Sequence, residues 1–281
     1  MDSLPALEPP TPRALPLNRH LRTDEAFVWL QAGWDDFTSE DTGASIIYGF
    51  FVFILSALLI GGLFWIGADY AFFPAMGAFL VVGPALAMGL YEKSRRRMEG
   101  EQTQLDDMIF VKTKSPYQLF FIGLILLLLC LLWMRAAVLI YALFFGFHKF
   151  PGFAPLLVSL FLTPSGWGLL IVGSLFGALF AALGFAISAL SVPMLLNERV
   201  DAFTAMGASM TLVWNNLPVM VTWGGIVLSV FIVCMLSGLL GLIIAFPVLG
   251  HATWHAYVAI RGAPENPVFT PAIISPETTD G

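Results

Sequence analysis

The chain has 281 residues, of which 58% are hydrophobic and 11% are charged. About a quarter of the residues in a soluble domain are charged, so this composition excludes a soluble enzyme, a nucleic-acid-binding protein and a disordered regulator. The formal net charge of −6 is modest, and the positions of the charges are more informative than their sum.

Both ends of the chain are rich in proline, at positions 5, 9, 10, 12 and 16 and again at 264, 267, 271 and 276. Proline lacks an amide hydrogen and opposes helix formation. We therefore expect a disordered N-terminal arm over residues 1–22 and a disordered tail over 262–281. Between them, residues 23–261 are predicted to form a single transmembrane domain.

Six apolar stretches are long enough to cross about 30 Å of hydrocarbon as helices. They lie near 44–67, 70–91, 117–135, 167–192, 218–236 and 239–260. The last two form one apolar run of about twice the length that a span needs, which predicts a turn at Ser237-Gly238. The predicted fold is all-α, a polytopic membrane helix bundle.

Two further apolar pieces lie in residues 136–163, separated by the residues around His148 and Lys149. Each piece has about twelve residues, too few to cross the membrane alone. We expect them to form helices that lie in the outer interface or dip into the protein. The alternative makes one of them a true span, which would move the C-terminus outside.

Basic residues predict the orientation. With six spans and the N-terminus inside, eleven of the thirteen lie in inner segments, Lys149 lies outside, and Arg135 lies at the outer end of the third span. The positive-inside rule then places both termini in the cytoplasm.

Amphipathic helices are predicted on the inner surface ahead of the first and fifth spans. Their apolar positions recur at helical spacing: Phe27, Leu30, Trp34 and Phe37, and then Phe203, Met206, Met210, Val213 and Leu217. Thr23 is the candidate N-cap of the first helix. The pattern predicts three repeats, each an inner-surface helix followed by a hairpin; the alternative is that apolar segments resemble one another by composition.

The second helix of each hairpin contains a proline, at Pro84, Pro193 and Pro247. Proline leaves a backbone carbonyl without its helical donor, and many transporters are built from repeats with interrupted helices. A transporter or pore with binding at a repeat interface is therefore one hypothesis. The spans offer it almost no polar lining.

His251 and His255 lie four residues apart, on one helical face, at a spacing that two metal ligands can use. No cysteine or acidic residue accompanies them in the sequence. This favours two imidazoles at the inner interface, beside Trp254 and Tyr257, over a metal or haem site. No catalytic residue and no cofactor is predicted, and we expect a protein that is not an enzyme.

Four ionisable residues at span ends are further candidates. Asp69 and Arg135 lie at outer ends, where they can pair with each other, anchor the spans or take part in transport. Glu92 and Glu198 lie at inner ends beside Lys93 and Arg199, which predicts ion pairs at the interface.

A basic run of Lys93, Arg95, Arg96 and Arg97 follows the second span, and we expect it to contact anionic lipid. In the fourth span Gly173 and Gly177 belong to a small-residue face of the kind that lets helices approach closely. This face and residues 136–163 are candidate contacts for a membrane-protein partner.

The segments PMLLNER (193–199) and FPVLGHATWHAY (246–257), with VGPALAMGLYEK (82–93) and AGWDDF (32–37), resemble a bacterial family of predicted integral membrane proteins of unknown function. Members are sometimes labelled as related to cytochrome c oxidase subunit I. The resemblance implies a six-span inner-membrane protein with a respiratory association. Four histidines are too few for the haems and copper of an oxidase catalytic subunit, so the implied role is accessory.

Taken together, these patterns predict a scaffold or accessory subunit of the inner membrane, and the resemblance implies an association with a respiratory terminal oxidase. A transporter and a haem or metal protein using His251 and His255 are the alternatives.

Overall fold

The computed structural model describes residues 20–39, 41–146 and 150–261. These residues form twelve α-helices and no strand: α1 (Glu25–Phe37), α2 (Thr42–Trp65), α3 (Phe72–Leu86), α4 (Met88–Met98), α5 (Leu105–Ile109), α6 (Pro116–Phe145), α7 (Phe153–Leu162), α8 (Pro164–Ser188), α9 (Ser191–Asn197), α10 (Ala202–Asn215), α11 (Leu217–Leu236) and α12 (Leu242–Arg261). Apart from residues 20–22, the predicted arm and tail lie outside the described residues.

Six helical segments are long and apolar enough to cross a membrane: α2, α3 with α4, α6, α8 with α9, α11, and α12. This confirms the predicted all-α, polytopic fold. At one end of the bundle, α2, α6 and α11 begin and α4, α9 and α12 terminate. We call this the basic end. Side chains near the start of α2 and near the ends of α4 and α12 meet there, as the contacts below show.

The expectation of a separate interfacial helix after Arg135 is wrong for residues 136–145, which continue α6 without a break. No glycine or proline interrupts this stretch, and a single exposed arginine does not end a helix. The helix ends at Gly146, whose φ of 69° is left-handed. Residues 153–162 do form a separate helix, α7, which packs against α8.

The predicted apolar stripes of the two surface helices are exposed only in part, since Phe37 and Val213 are buried and Leu30 and Met206 pack against the core. Phe27 and Trp34 in α1 are exposed, as are Phe203 and Met210 in α10. The inward faces combine large residues, such as Trp29 in α1 and Leu212 in α10, with small ones: Ala26 and Gly33 in α1, and Ala202, Ala205 and Ser209 in α10. Small residues let these helices lie close to the spans, while the aromatic face suits a membrane interface. The α1 helix is preceded by Asp24, not Thr23, and lacks a side-chain cap.

The helices follow one order in three units, α1–α4, α5–α9 and α10–α12. In each unit a surface helix precedes a long span, and a second span returns to the basic end. The surface helix packs on the returning span of another unit: α1 on α12, α5 on α4, and α10 on α8 and α9. The returning ends α4, α9 and α12 contact one another. The contacts thus recur with the predicted repeats.

Two returning spans are interrupted, and neighbouring side chains satisfy the backbone at each break. Between α3 and α4 the Tyr48 hydroxyl donates to the carbonyl of Leu86 at 2.7 Å. Between α8 and α9 the Leu190 amide donates to the Ser209 hydroxyl, which itself donates to the carbonyl of Ala186. Pro84 lies in the last turn before the first break, and Pro193 lies in the short helix after the second.

The third returning span, α12, is continuous across Pro247. Pro247 cannot donate to the carbonyl of Ile243, and that carbonyl lies directly against Gly49 of α2. A Cβ atom at position 49 would overlap the carbonyl oxygen and lie 2.8 Å from Cγ of Pro247. Gly49 therefore permits the close crossing of α2 and α12.

We expect Gly49→Ala to lower the free energy of unfolding by about 1–3 kcal/mol, because the added methyl group must push α2 away from α12. Gly61→Ala is the matched control in the same helix, since nothing lies within 4 Å of a Cβ at that position. It should leave stability unchanged or raise it by up to about 1 kcal/mol through helix propensity. Thermal unfolding of both variants in detergent checks this; equal midpoints would contradict the proposed crossing.

Candidate functional site

A chain of hydrogen bonds runs through the basic end and joins four helices. The ammonium of Lys93 donates to the Ser45 hydroxyl at 2.9 Å, and Ser45 bonds Nε2 of His251 at 3.0 Å. Nδ1 of His251 bonds the Ser94 hydroxyl at 2.8 Å, and Ser94 donates to the carboxylate of Asp36 at 2.5 Å. All five side chains are buried, with His251 at 0% exposure and Lys93 at 3%.

The two ends of this chain determine its direction. An ammonium only donates and a carboxylate only accepts, so the Ser45 hydroxyl donates its hydrogen bond to Nε2 of His251, and Nδ1–H of His251 donates to the Ser94 hydroxyl. We therefore assign His251 as the neutral Nδ1–H tautomer. Every donor along the chain then has one acceptor, which is the condition under which a buried polar network stabilises a fold.

Asp36 forms two further contacts with side chains of α12 and α4. His255 bonds its Oδ2 at 2.9 Å, and Arg97 bonds its Oδ1 at 3.0 Å. Burial raises the pKa of Asp36, but the hydrogen bond and charge of His255, with the hydrogen bond from Ser94, outweigh that and lower the pKa below its usual value. One carboxylate thus attaches α1 to α4 and α12.

His251 and His255 do share a helical face. His255 bonds Asp36 directly, and His251 is connected to Asp36 through the Ser94 hydroxyl. Both ring nitrogens of His251 are already hydrogen-bonded, so coordination by His251 would first break a bond to Ser45 or Ser94. In the part of the chain that the structure describes, no three His, Cys, Asp or Glu residues are grouped to hold a metal ion. The donor set does not fit the metal or haem alternative.

Glu92 does form an ion pair, but with Arg95 and Arg96 instead of Lys93. Its carboxylate is 1% exposed and accepts from Arg95 at 2.8 Å and from Arg96 at 2.7 Å. The side chain of Lys93 points inward, where its ammonium also donates to the carbonyl of Asp41 at 2.7 Å. The three arginines of the run, expected to face lipid, are each paired with a carboxylate.

Glu198 pairs with Arg261 instead of the neighbouring Arg199. Two guanidinium nitrogens of Arg261 donate to its carboxylate, at 2.9 and 2.7 Å, and the Tyr257 hydroxyl donates at 2.7 Å. Burial raises the pKa of Glu198, and the bonds from Arg261 and Tyr257 lower it further than burial raises it. This second cluster fastens the end of α12 to the segment after α9.

At the opposite end the predicted pair of Asp69 and Arg135 does not form. Asp69 instead accepts a hydrogen bond from the Phe153 amide at 3.0 Å and so holds the start of α7. Arg135 is exposed on α6. His148 and Lys149 lie outside the described residues.

The small-residue face of α8 is used only in part. Gly177 packs against the ring of Trp133 in α6, where a Cβ would lie 3.2 Å from the indole, whereas Gly173 meets no other helix. Gly184 and Gly168, which the sequence did not single out, lie even closer to Val81 and Phe144. Glycine content predicted a close approach, but not which glycines make it.

These features define a polytopic integral membrane protein whose buried charges meet at one end of the bundle. The family described as Predicted integral membrane protein (DUF2189) matches residues 72–197, from α3 to the end of α9 and less than half of the chain. The match includes Lys93 and Ser94 but not Asp36 or His251. No curated protein and no solved structure shows a significant match.

Sequence reasoning missed Asp36, Ser45 and Ser94. The WDDF segment (34–37) contains two adjacent acidic residues. Helical spacing places one of them, Asp36, on the same face as the small residues that pack inward, and this could have predicted a buried acid. The partners of that acid come from distant parts of the chain, so no local spacing reveals them.

We expect Asp36→Ala to lower the free energy of unfolding by about 2–4 kcal/mol, because Ser94, His255 and Arg97 lose a buried acceptor. Asp35→Ala is the control, since the neighbouring Asp35 is exposed and contributes its backbone carbonyl, which the substitution keeps, to Arg97. Thermal unfolding in detergent should separate the two variants. Similar midpoints would show that the carboxylate does not hold α1.

The lowered pKa of Asp36 also predicts a pH dependence. A carboxyl with a depressed pKa in the folded state stabilises the fold above its unfolded pKa, near 3.9, and loses that contribution as the pH falls through the folded value. The stability advantage of the wild type over Asp36→Asn should therefore be present at neutral pH and shrink below about pH 4. Paired unfolding curves across this range test it, and an advantage that persists unchanged at the acid limit would contradict it.

Proposed function

We propose that the protein is a non-catalytic accessory or scaffold subunit of a membrane-protein assembly in the bacterial inner membrane. The observation that carries the proposal is an exposed apolar rim at the end of the bundle opposite the basic end. The rim consists of exposed residues from the last ten positions of α6 and from α7: Val138, Leu139, Leu143, Val158, Phe161 and Leu162.

The length of α6 supports a role for this rim. Its 30 residues span about 45 Å, and Arg135 lies about 28 Å from its start, close to the full thickness of the hydrocarbon. The last ten residues continue for about 15 Å beyond Arg135, and Leu143 there is 75% exposed. An apolar surface that continues beyond the hydrocarbon layer is in contact with water unless another molecule buries it. We propose that another integral membrane protein binds there.

The rim is also held in a defined shape. The Asp69 carboxylate anchors the Phe153 amide, and the Phe153 ring packs against Phe64, Phe72 and Phe73 at centroid distances of 5.0 to 5.8 Å. A surface fixed in this way suits a specific partner, because binding orders few additional side chains.

The distribution of charge supports two further parts of the proposal, the non-catalytic role and the orientation in the membrane. In both clusters at the basic end the buried acids and bases are bonded to one another, which supports a structural role over catalysis. Of the described basic residues, only Arg135 lies far from the basic end, which supports a cytoplasmic location for that end and for both termini. A respiratory terminal oxidase is the assembly that the family resemblance suggests.

Site-specific photo-crosslinking in cells tests the partner. A photoreactive residue at Leu143 or Leu162 should give a discrete protein adduct, whereas the same group at Leu128, exposed in the middle of α6, should not. Mass spectrometry of the adduct identifies the partner, and an oxidase subunit would support the respiratory association. Absence of adducts at all three positions would mean that lipid covers the rim, and the proposal would fail.

A second candidate, a transporter built from the three units, is favoured by the interrupted spans α3–α4 and α8–α9, since discontinuous helices form many transport sites. Against it, the backbone at both breaks is bonded to Tyr48 and Ser209. It predicts that a small thiol reagent reaches a cysteine placed at Ala87 or Ala189 from water, as Cys130 and Cys234 are buried. Protection of both positions would exclude a hydrated pathway at the breaks.

A further inference from the structure

The basic residues at the basic end fall into two groups. Lys93, Arg95, Arg96, Arg97 and Arg261 are bonded within the chain. Lys112, Lys114 and Arg199 are exposed, and none of them forms an ion pair within 4.0 Å with a described carboxylate, although Lys114 lies near enough to Glu198 to help lower its pKa. The charge available to an external anion therefore lies at the start of α6 and after α9, not in the run that follows the second span.

Two of these three cations line one pocket. The pocket has a volume of about 300 Å³ and lies between the start of α6 and the connection from α9 to α10, with Lys114, Arg199, Tyr117 and Asp201 among its lining residues. Lys112 lies outside it. Two cations and one carboxylate leave the pocket with a net positive charge.

Three other side chains of the pocket already form hydrogen bonds within the chain, and these bonds hold the pocket walls in place. The Ser115 hydroxyl donates to the carbonyl of Glu198, and the side-chain oxygen of Gln118 accepts from the Ala202 amide. Asp201 accepts from the amide and hydroxyl of Thr204 as the N-cap of α10. The side chains of Lys114 and Arg199 thus remain available to a ligand, as does the exposed hydroxyl of Tyr117.

One exposed aromatic ring, that of Tyr117, lines the pocket, and two more lie in the first turns of the helices that begin beside it, Phe120 in α6 and Phe203 in α10. Tyr117 is 87% exposed, and Phe120 and Phe203 are also exposed. Aromatic residues at the start of a span are typical of the level of lipid headgroups. A ligand in the pocket would have its phosphate beside the cations and its apolar part along these rings.

We propose that this pocket binds the phosphate of an anionic phospholipid, with Lys114 and Arg199 as its ligands. The arrangement selects phospholipid over a soluble phosphate because the cations lie beside rings that only a lipid would cover. The site would fix one lipid against the α6–α10 face of the basic end. It is independent of the partner surface proposed at the opposite rim.

Native mass spectrometry of the purified protein tests the site, with phosphatidylglycerol and phosphatidylcholine of identical acyl chains as probes. The wild type should retain phosphatidylglycerol preferentially. Lys114→Gln with Arg199→Gln should lower that preference at least about tenfold, since each basic residue at an anionic surface contributes roughly fivefold. The control, Lys112→Gln with Arg22→Gln, removes two exposed cations outside the pocket and should retain the preference; Arg22 pairs only with the exposed Asp24 at the surface.

Each outcome decides the proposal. If the two double variants retain phosphatidylglycerol equally, or lose it equally, the proposal is overturned. Binding would then not depend on whether the removed charges lie in the pocket. Displacement of phosphatidylglycerol by millimolar inorganic phosphate would assign the pocket to a soluble anion instead. Lys114→Gln and Arg199→Gln alone should each give an intermediate loss, which keeps the test valid if the double variant does not fold.

Discussion

The carboxylate of Asp36 is the group on which the basic end depends, because it accepts from Ser94, His255 and Arg97 at once. A buried charge is costly unless it is paired and hydrogen-bonded. If α1 left the bundle, His255 and Arg97 would lose the carboxylate that accepts their hydrogen bonds, and that loss would destabilise the separated arrangement. The surface helix is thus held by this polar contact together with the packing of Trp29 on Trp223, while Phe27 and Trp34 remain exposed and can face the membrane.

The helix α12 is the element that this contact organises. It is the most buried of the six spans, and it packs against α1, α2 and α4. Close packing requires small residues at the crossings, and Gly49 and Gly33 provide them, with Gly33 lying against Ala252. The neutral histidine of the core is tolerated there because two serine hydroxyls satisfy its ring.

Hydropathy was sufficient to predict the six spans, the turn at Ser237-Gly238 and the order of the three units, because these depend on local composition. It failed at Arg135, where a charge was read as a boundary although the helix continues to Phe145. It also failed for partners: Glu92 and Glu198 neighbour cations in sequence but bind Arg95, Arg96 and Arg261. Partner choice depends on how helices pack, and one sequence does not contain that information in local form.

The hydrogen-bonded chain from Lys93 to Asp36 begins and ends at the same end of the bundle. A charge that crosses a membrane gains or loses about 2.3 kcal/mol per 100 mV, but a proton shifted between His251 and Asp36 would stay at nearly one depth. Such a shift would be electrically silent. The protonation of this cluster should therefore follow the pH of the compartment it faces and be almost indifferent to the membrane voltage.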